Sequence, residues 1–347
     1  YKKEKRFYDF FFLDKKISNI TILNLLRKKI RFIPKKFSFI FPRILNTNNK
    51  YKIINNLSFH YNNRFEQDRV VFECRDVSNL IDSTKQEFRF PNEGQKNILQ
   101  KYNIKFDLKK IVCIHLRDDG YLKKNFPNYI DLKVNNVDIK SYKKVINRLL
   151  KLGYTVIRVG KDHRKLLDLK NKKYIDLFKE KKWSDEIEMF LISKCKFFLG
   201  THSGGSMTAL YMFRKPTLFT NFVPIGKVFS FSKKILFIPK KIKMNNKILN
   251  LQEIFSYNLA FLDKKKSFEK KRSIILDNSP NEILNATLDL ISLIDNEKKF
   301  FLKNKTILSK FKKLFKKNID KTIYKKFHGK LNFNIAPSFI KRNYLLK

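Results

Sequence analysis

Cysteine, glycine and proline are scarce in this sequence, and their scarcity excludes two kinds of protein. The 347 residues contain three cysteines, Cys74, Cys113 and Cys195, and no CxxC pair. So few thiols in so long a chain exclude a disulfide framework and favour a reducing cytosol. Glycine and proline number nine each, while 43% of the residues are hydrophobic. Such a chain can bury a core, which excludes wholesale disorder. The five scattered histidines show no zinc-ligand spacing, and we predict no metal.

Long apolar runs are also missing. No uninterrupted apolar stretch reaches the roughly 18 residues that a transmembrane helix needs, so we predict none. The expected location is the cytoplasm, with peripheral contact at the inner face of the cell membrane. The chain begins with Tyr1 rather than methionine, which leaves open a signal or anchor upstream.

Acidic residues are heavily outnumbered by basic ones. The chain has 31 Asp and Glu residues and 77 Lys and Arg residues, which gives a formal net charge of +46. This charge predicts attraction to phosphate-bearing partners such as nucleic acid, anionic lipid or a phosphorylated substrate. The alternative is compositional drift with solvated basic faces. The charge alone therefore selects no partner.

The pattern along the chain divides it into residues 1–100, 101–260 and 261–347. The first region mixes short apolar runs with basic and Asn-rich stretches. The second alternates strands and helices, which predicts βαβ units and a parallel sheet. Its predicted strands are 110–116, 154–160, 173–177, 196–200 and 216–220, and its predicted helices 138–153, 162–170, 184–195 and 207–213. Before these we predict a strand at 68–77, a turn at 92–94 and a short helix at 95–104.

The third region carries two further helices. Ser279, Pro280 and Glu282 form a capping box with proline at the first helical position. The tail from 298 to 330 holds thirteen lysines and one acid, which predicts a basic amphipathic helix. Its apolar stripe is predicted to dock on an anionic membrane surface; the alternative is that the stripe packs on the protein's own body. The stripe consists of Phe301, Leu308, Phe311 and Phe315.

Polar side chains are concentrated where the predicted strands end. They are His115, Arg117, Asp118 and Asp119 after the first strand, Arg158 and Gly160 after the second, and Thr201, His202, Ser203, Gly204, Gly205 and Ser206 after a later one. Ligands of an open parallel sheet bind beyond the carboxyl ends of its strands. We therefore expect these residues to share one crevice.

Each of these residues has a functional and a structural interpretation. Arg117 could bind a phosphate with its two-pronged guanidinium or pair with a neighbouring aspartate. Asp118 or Asp119 could be a general base, or a residue of the turn before Gly120. His115 could take part in catalysis or be a core histidine, and Arg158 could be a second phosphate ligand or an ordinary strand end.

The segment 201–206 has two interpretations of its own. Its small residues would let backbone N–H groups approach a phosphate, and a helix starting near Ser206 would direct its positive end there. The alternative is a tight strand-to-helix turn that Ser206 caps. The segment is not a Walker A loop, because no GKS or GKT follows.

Four blocks occur in order between about residues 92 and 256: VCIHLRDDGYL, GYTVIRVG, DEIEMFLISKCKFFLGTHSGG and RKPTLFTNFVP. They resemble a family of bacterial glycosyltransferases whose members sit among surface-polysaccharide biosynthesis genes. The first block is more distantly similar to the HxRRxD motif of the fucosyltransferase superfamily, in which the first arginine grips the diphosphate of a GDP-sugar. His115 and Arg117 match that motif, whereas Asp118 replaces its second arginine and Gly120 its aspartate. Asn135 follows valine where the nearer family often has an Arg-Asn pair.

The resemblance implies an α/β protein of the GT-B architecture, in which two Rossmann-like domains face each other across a cleft. Residues 101–260 would be the nucleotide-sugar-binding domain, and residues 1–100 a reduced or incomplete acceptor-side region. The implied donor substrate is a nucleotide-diphosphate sugar, without cofactor or metal, and the acceptor is a glycan or a lipid-linked acceptor. The catalytic set is Asp118, Asp119 and His115; the substrate-binding set is Arg117, Arg158, Gly160, residues 201–206 and Asn221.

Two competing functions come from other classes. The net charge of +46 and the interleaved Lys and Phe residues would suit a nucleic-acid-binding protein. However, the densest run of lysines lies in a separable tail rather than over one binding face, which disfavours nucleic acid as a partner. A catalytically inactive module that binds nucleotide or glycan is the other competitor, since the second arginine of the motif is missing.

Overall fold

The computed structural model describes residues 10–13, 19–27, 31–34, 88–90, 92–125, 134–322, 328, 330–343 and 345–346. The chain forms two compact units, Tyr1–Phe72 and Glu73–Lys347. In the first unit, strand β1 (Phe10–Leu13) pairs in parallel with β2 (Arg31–Pro34), and helix α1 (Ile20–Arg27) connects them. Residues 101–347 all belong to the second unit, and the boundaries at 100/101 and 260/261 stay predictions.

The second unit contains most of the helices and strands. Its described helices are α2 (Asn92–Lys101), α3 (Gly120–Asn125), α4 (Lys143–Lys151), α5 (Asp185–Lys194), α6 (Gly204–Tyr211), α7 (Leu251–Ser256), α8 (Lys265–Lys270), α9 (Pro280–Asp295), α10 (Glu297–Ile319) and α11 (Pro337–Arg342). Its described strands are β3 (Ile111–His115), β4 (Thr155–Arg158), β5 (Tyr174–Asp176), β6 (Phe197–Gly200), β7 (Thr217–Phe222), β8 (Ile235–Pro239), β9 (Lys241–Met244), β10 (Lys247–Ile248), β11 (Ser273–Leu276) and β12 (Asn334–Ile335).

A seven-stranded sheet organises this unit. Its strand order is β12-β8-β7-β6-β3-β4-β5, and every neighbouring pair is parallel. The first of these strands along the chain is β3, in the middle of the sheet. The strands β4 and β5 follow on one side of it, and the chain then crosses to β6 on the other side of β3. This doubly wound order is that of a Rossmann-like fold. The prediction of an α/β protein with a parallel sheet is thus confirmed.

Both faces of the central strands are buried, which explains their continuous apolar sequences. In β3, Val112 and Ile114 belong to the same buried cluster as Val145 of α4. The alternate residue Cys113 lies against Cys195, at the end of α5. Since successive side chains of a strand point to opposite faces, helices α4 and α5 cover opposite faces of the sheet.

Several predicted helix ends are confirmed. Ser279 and Glu282 form the reciprocal capping box of α9, with Pro280 in the first turn. The Asp138 carboxylate caps a 3-10 turn that leads into α4, and Gly153 follows α4 with a φ of +83°. Apart from the central sheet, β9, β10 and β11 form a separate antiparallel sheet.

Two local predictions are wrong. The segment 162–170 is not a helix, because its backbone makes long-range hydrogen bonds instead. The N–H groups of Arg164 and Lys165 donate to Asp118, and the Lys165 carbonyl accepts from Arg158. The turn at 92–94 is instead the first turn of α2. The strand at 68–77 lies outside the described residues.

Residues 298–319 of the basic tail lie in the helix α10, and most of the helix's apolar side is buried in the protein's own body. Leu308, Phe311 and Phe315 are each no more than 4% exposed. Phe311 packs on Phe237 of the central sheet, with ring centroids 5.9 Å apart. These side chains are therefore unavailable to a membrane, and docking through the apolar stripe is wrong. Peripheral contact through the lysines stays a prediction. No helix in the described parts of the chain is both long and apolar enough to cross a bilayer.

Candidate functional site

Most of the residues predicted to share a crevice lie at or just beyond the carboxyl ends of β3 and β6, the two strands between which the sheet reverses its direction of winding. His115 and Gly200 are opposite each other in register. Beyond them the two loops are joined, since Thr201 N donates to His115 O at 3.1 Å and Arg117 N donates to Thr201 Oγ1 at 3.3 Å. Doubly wound sheets bind their ligands at such a reversal.

Arg117 brings a positive charge to this crevice without a compensating carboxylate. It is half-buried, and burial lowers the pKa of its guanidinium, which nevertheless stays charged at neutral pH. Among the described residues, none lies within ion-pair or hydrogen-bonding distance of the Arg117 guanidinium, although Asp118 and Asp119 follow it in the chain. A half-buried cation without a partner favours an anionic ligand.

Helix α6 begins in the same crevice. Its N-cap is Ser203, which forms a capping box with Ser206, so the helix starts three residues earlier than predicted and Ser206 is not its cap. Gly204 is exposed, and a Cβ built there meets no atom within 4 Å. The first turn of α6 therefore presents backbone N–H groups to open space, as a phosphate site requires.

The other residues of the segment 201–206 support this turn. Thr201 is buried and joins the two loops. The His202 imidazole stacks on Phe222, with ring centroids 5.8 Å apart, and meets Phe229 edge-on, so it is held by the aromatic core. At Gly205 an added Cβ would lie 3.7 Å from Glu188 Oε1, which is an ordinary van der Waals distance.

Asp118 holds a loop in place. Its Oδ1 accepts from Gly120 N at 2.9 Å, and its Oδ2 accepts from Arg164 N at 2.8 Å and Lys165 N at 3.0 Å. The side chain is buried. With both oxygens bound to backbone donors, this carboxylate is better suited to fixing the end of β3 against the segment 162–165 than to accepting a proton from a substrate.

Asp119 is the more accessible of the two carboxylates. Its side chain is 28% exposed and forms an ion pair with Lys123, one turn later in α3. The hydrogen bond from Lys123 holds the pKa of the Asp119 carboxyl below its usual range. Asp119 is therefore ionised at neutral pH, as a general base must be.

His115 lies beneath the crevice rather than in it. A Cβ at Gly160 would come within 2.8 Å of the His115 ring, and Gly160 has a φ of +99°, so glycine is required there. Nδ1 of His115 is buried and has no hydrogen-bond partner among the described residues. Burial and the charges of Arg158 and Arg117 lower the pKa of this imidazole to about 3. His115 is therefore neutral and suits a packing role better than a catalytic one.

This lowered pKa makes stability depend on pH in a defined direction. In the unfolded chain His115 takes up a proton as the pH falls through about 6.5, whereas the folded imidazole stays neutral down to about 3. Between pH 7.5 and 5.5 we expect this difference to cost about 1.4 kcal/mol of unfolding free energy. Urea titrations at both pH values should show the wild type losing that much more than His115→Asn. An equal loss in both proteins would contradict the prediction.

Glu188 and Trp183 lie beside these residues, since Glu188 is hydrogen-bonded to Gly160 and lies near Gly205, and neither was identified from the sequence. Glu188 sits on the buried side of α5, where its Oε2 accepts hydrogen bonds from Gly160 N at 3.2 Å and from the Trp183 indole. Burial raises the pKa of its carboxyl, although the Trp183 hydrogen bond partly offsets this. An acid within a run of apolar residues, 187–192, that the structure buries on all sides of α5 is the signal that would have identified it.

Two predicted ligands have structural partners instead. Arg158 is fully buried; its Nη1 donates to Lys165 O at 2.7 Å and lies 3.3 Å from Asp176. Asn221 is also buried, exchanges hydrogen bonds of 2.6 Å with Asn278, and donates to Tyr142 Oη. Neither side chain can reach a ligand in this arrangement, so their assignment to substrate binding is not supported.

The described residues contain no group of three His, Cys, Asp or Glu side chains placed to hold a metal ion. No protein-family model, curated protein or solved structure matches the chain. The geometry described above is consequently the basis for assigning a function.

Proposed function

We propose that this protein is a glycosyltransferase that moves a sugar from a nucleotide-diphosphate sugar to a glycan or lipid-linked acceptor in surface-polysaccharide biosynthesis. The observation that carries the proposal is that Arg117, whose guanidinium has no partner among the described residues, follows β3 in a loop that Thr201 joins to the open first turn of α6, at the reversal point of the sheet. Both groups favour negative charge, and a nucleoside diphosphate would place its negative charge between them.

The chemistry follows from that placement. The acceptor hydroxyl attacks the anomeric carbon of the donor sugar, and the bond from that carbon to the diphosphate oxygen breaks. Arg117 and the N–H groups of α6 would stabilise the charge that develops on the departing diphosphate. The proton of the acceptor hydroxyl passes to a carboxylate, for which Asp119 is the first candidate and Glu188 the second.

A panel of nucleotide sugars tests the proposal. Release of the nucleoside diphosphate from at least one donor, at a rate that rises with added acceptor glycan, is the expected result. Binding of a nucleoside diphosphate without turnover of any donor would favour the inactive module. Binding to nucleic acid alone, with no affinity for a nucleoside diphosphate, would rule out the assignment.

Gly204 gives a separate test of the diphosphate site. A Val side chain there would meet no protein atom but would fill the space in front of α6, so we expect Gly204→Val to lose nucleoside-diphosphate binding. Its free energy of unfolding should change by no more than about 0.5 kcal/mol, as for other open surface sites. Gly94→Val, at an equally open helical glycine of α2, is the matched control for both measurements. Intact binding in Gly204→Val would remove α6 from the site.

A further inference from the structure

A large cavity that does not involve the carboxyl ends of β3 and β6 lies between α10 and a wall formed by His328, Lys330, Leu331 and Asn334. Its volume is about 700 Å³. It is lined by apolar side chains at its base, including Phe301, Leu308, Ile319 and Leu331. The wall is held in place by His328, whose ring nitrogens lie 2.9 Å from Ser230 Oγ and 3.0 Å from Gly226 O.

The rim of this cavity is strongly cationic. The described residues that line it include five lysines and a single acid, Asp320, which already pairs with one of them at 2.7 Å. The five are Lys305, Lys312, Lys313, Lys316 and Lys330. Among the described residues, Lys305, Lys312 and Lys313 have no ion-pair partner.

Lys312 is the most informative of these lysines. Burial lowers the pKa of its ammonium group, and the nearby charge of Lys233 lowers it further. Lys312 has no ion pair or hydrogen bond with any described residue. Keeping a desolvated cation beside another cation is unfavourable unless an anion binds there. A lysine that merely reflects the Lys-rich composition of the chain would extend its ammonium group into solvent.

Asn334 provides a second, independent sign of a ligand. It lines the cavity and is 1% exposed, and its Nδ2 donates to Lys233 O at 3.0 Å. Its Oδ1 is buried and has no protein partner among the described residues. A buried acceptor of this kind is normally satisfied, here by a hydroxyl group or other donor that enters the cavity.

We propose that this cavity binds an anionic amphiphile, with its phosphate held by the lysine rim and its alkyl chain against the apolar base. The cavity shares no lining residue with the proposed diphosphate site, since it is formed by α10 and by His328, Lys330, Leu331 and Asn334. It also differs from docking through the whole stripe of α10, because only Phe301 and Leu308 of that stripe line the cavity, while Phe311 and Phe315 are fully buried in the core.

Calorimetry with octyl phosphate, octyl glucoside and inorganic phosphate tests both halves of the proposal. We expect octyl phosphate to bind and the other two to bind at least tenfold more weakly. Equal binding of octyl glucoside would overturn the role of the lysines. Equal binding of inorganic phosphate would overturn the role of the apolar base.

Matched charge variants make the test specific to the cavity. Lys305→Glu with Lys313→Glu should weaken octyl phosphate binding by at least about 25-fold, since each lysine lost near lipid phosphate costs about fivefold. Lys298→Glu with Lys310→Glu makes the same charge change at exposed positions of the same helix outside the cavity, and should bind like the wild type. Equal loss in both pairs would mean that net charge alone attracts the ligand, and would overturn the proposal.

Vesicles identify the source of the amphiphile. If phosphatidic-acid vesicles retain the control pair but release the cavity pair, the ligand is a membrane lipid. If neither pair differs on vesicles while the monomeric octyl phosphate still distinguishes them, the ligand is a free lipid phosphate.

Discussion

Replacement of Arg117 by alanine is expected to weaken nucleoside-diphosphate binding by about 1.5–3 kcal/mol, or roughly 10- to 150-fold, as for other hydrogen bonds to charged groups. The guanidinium has no carboxylate partner among the described residues, so its removal leaves no buried carboxylate unpaired. The free energy of unfolding should therefore change little. Calorimetric titration of UDP, GDP and other nucleoside diphosphates measures the affinity, and urea titration measures the stability.

Two further variants sharpen this experiment. Arg148→Ala removes an exposed arginine of α4 and should leave the affinity unchanged. Arg117→Lys keeps the charge but loses the planar fork, so we expect an affinity between those of the wild type and Arg117→Ala. Unchanged affinity of Arg117→Ala for every nucleotide would show that the anion binds elsewhere.

The predictions from sequence were most accurate where local signals, such as helix caps and apolar periodicity, agree with the overall fold. Continuous apolar strands alternating with capped helices predicted the parallel sheet, and the capping box at Ser279 predicted the start of α9 within a residue. The crevice could also be predicted, because the carboxyl ends of parallel strands lie at one edge of the sheet. Which strands would be neighbours could not, since that depends on the crossover from β5 to β6.

Side-chain roles at those strand ends were less predictable. Arg117 and Arg158 look alike in sequence, yet the guanidinium of Arg117 has no partner among the described residues, whereas that of Arg158 is buried beside Asp176. The difference comes from contacts with residues distant in the chain, such as Lys165 and Asp176. The apolar stripe of α10 is a similar case: amphipathicity specifies a buried side but not whether protein or membrane covers it.

Replacement of Asp119 by asparagine is expected to lower turnover by about 10²- to 10⁴-fold, with unchanged donor affinity, if Asp119 removes the proton from the acceptor. Asp118→Asn serves as the comparison, because the same chemical change there leaves a backbone donor without a charged acceptor. We expect that variant to lose about 1–3 kcal/mol of unfolding free energy. Turnover measured at saturating donor, with a urea titration of each variant, separates the two roles.

The pH dependence of turnover distinguishes Asp119 from Glu188 as the base. A base must be deprotonated, so the rate falls as the pH drops through its pKa. The Lys123 ion pair lowers the pKa of Asp119, whereas burial raises that of Glu188. If Asp119 is the base, the turnover rate should stay constant until the pH falls below the usual pKa range of Asp. Glu188→Gln should not shift the pH at which the rate begins to fall. If the rate instead falls at a pH above the usual pKa of Glu, and this fall is absent in Glu188→Gln, the proton transfer is assigned to Glu188.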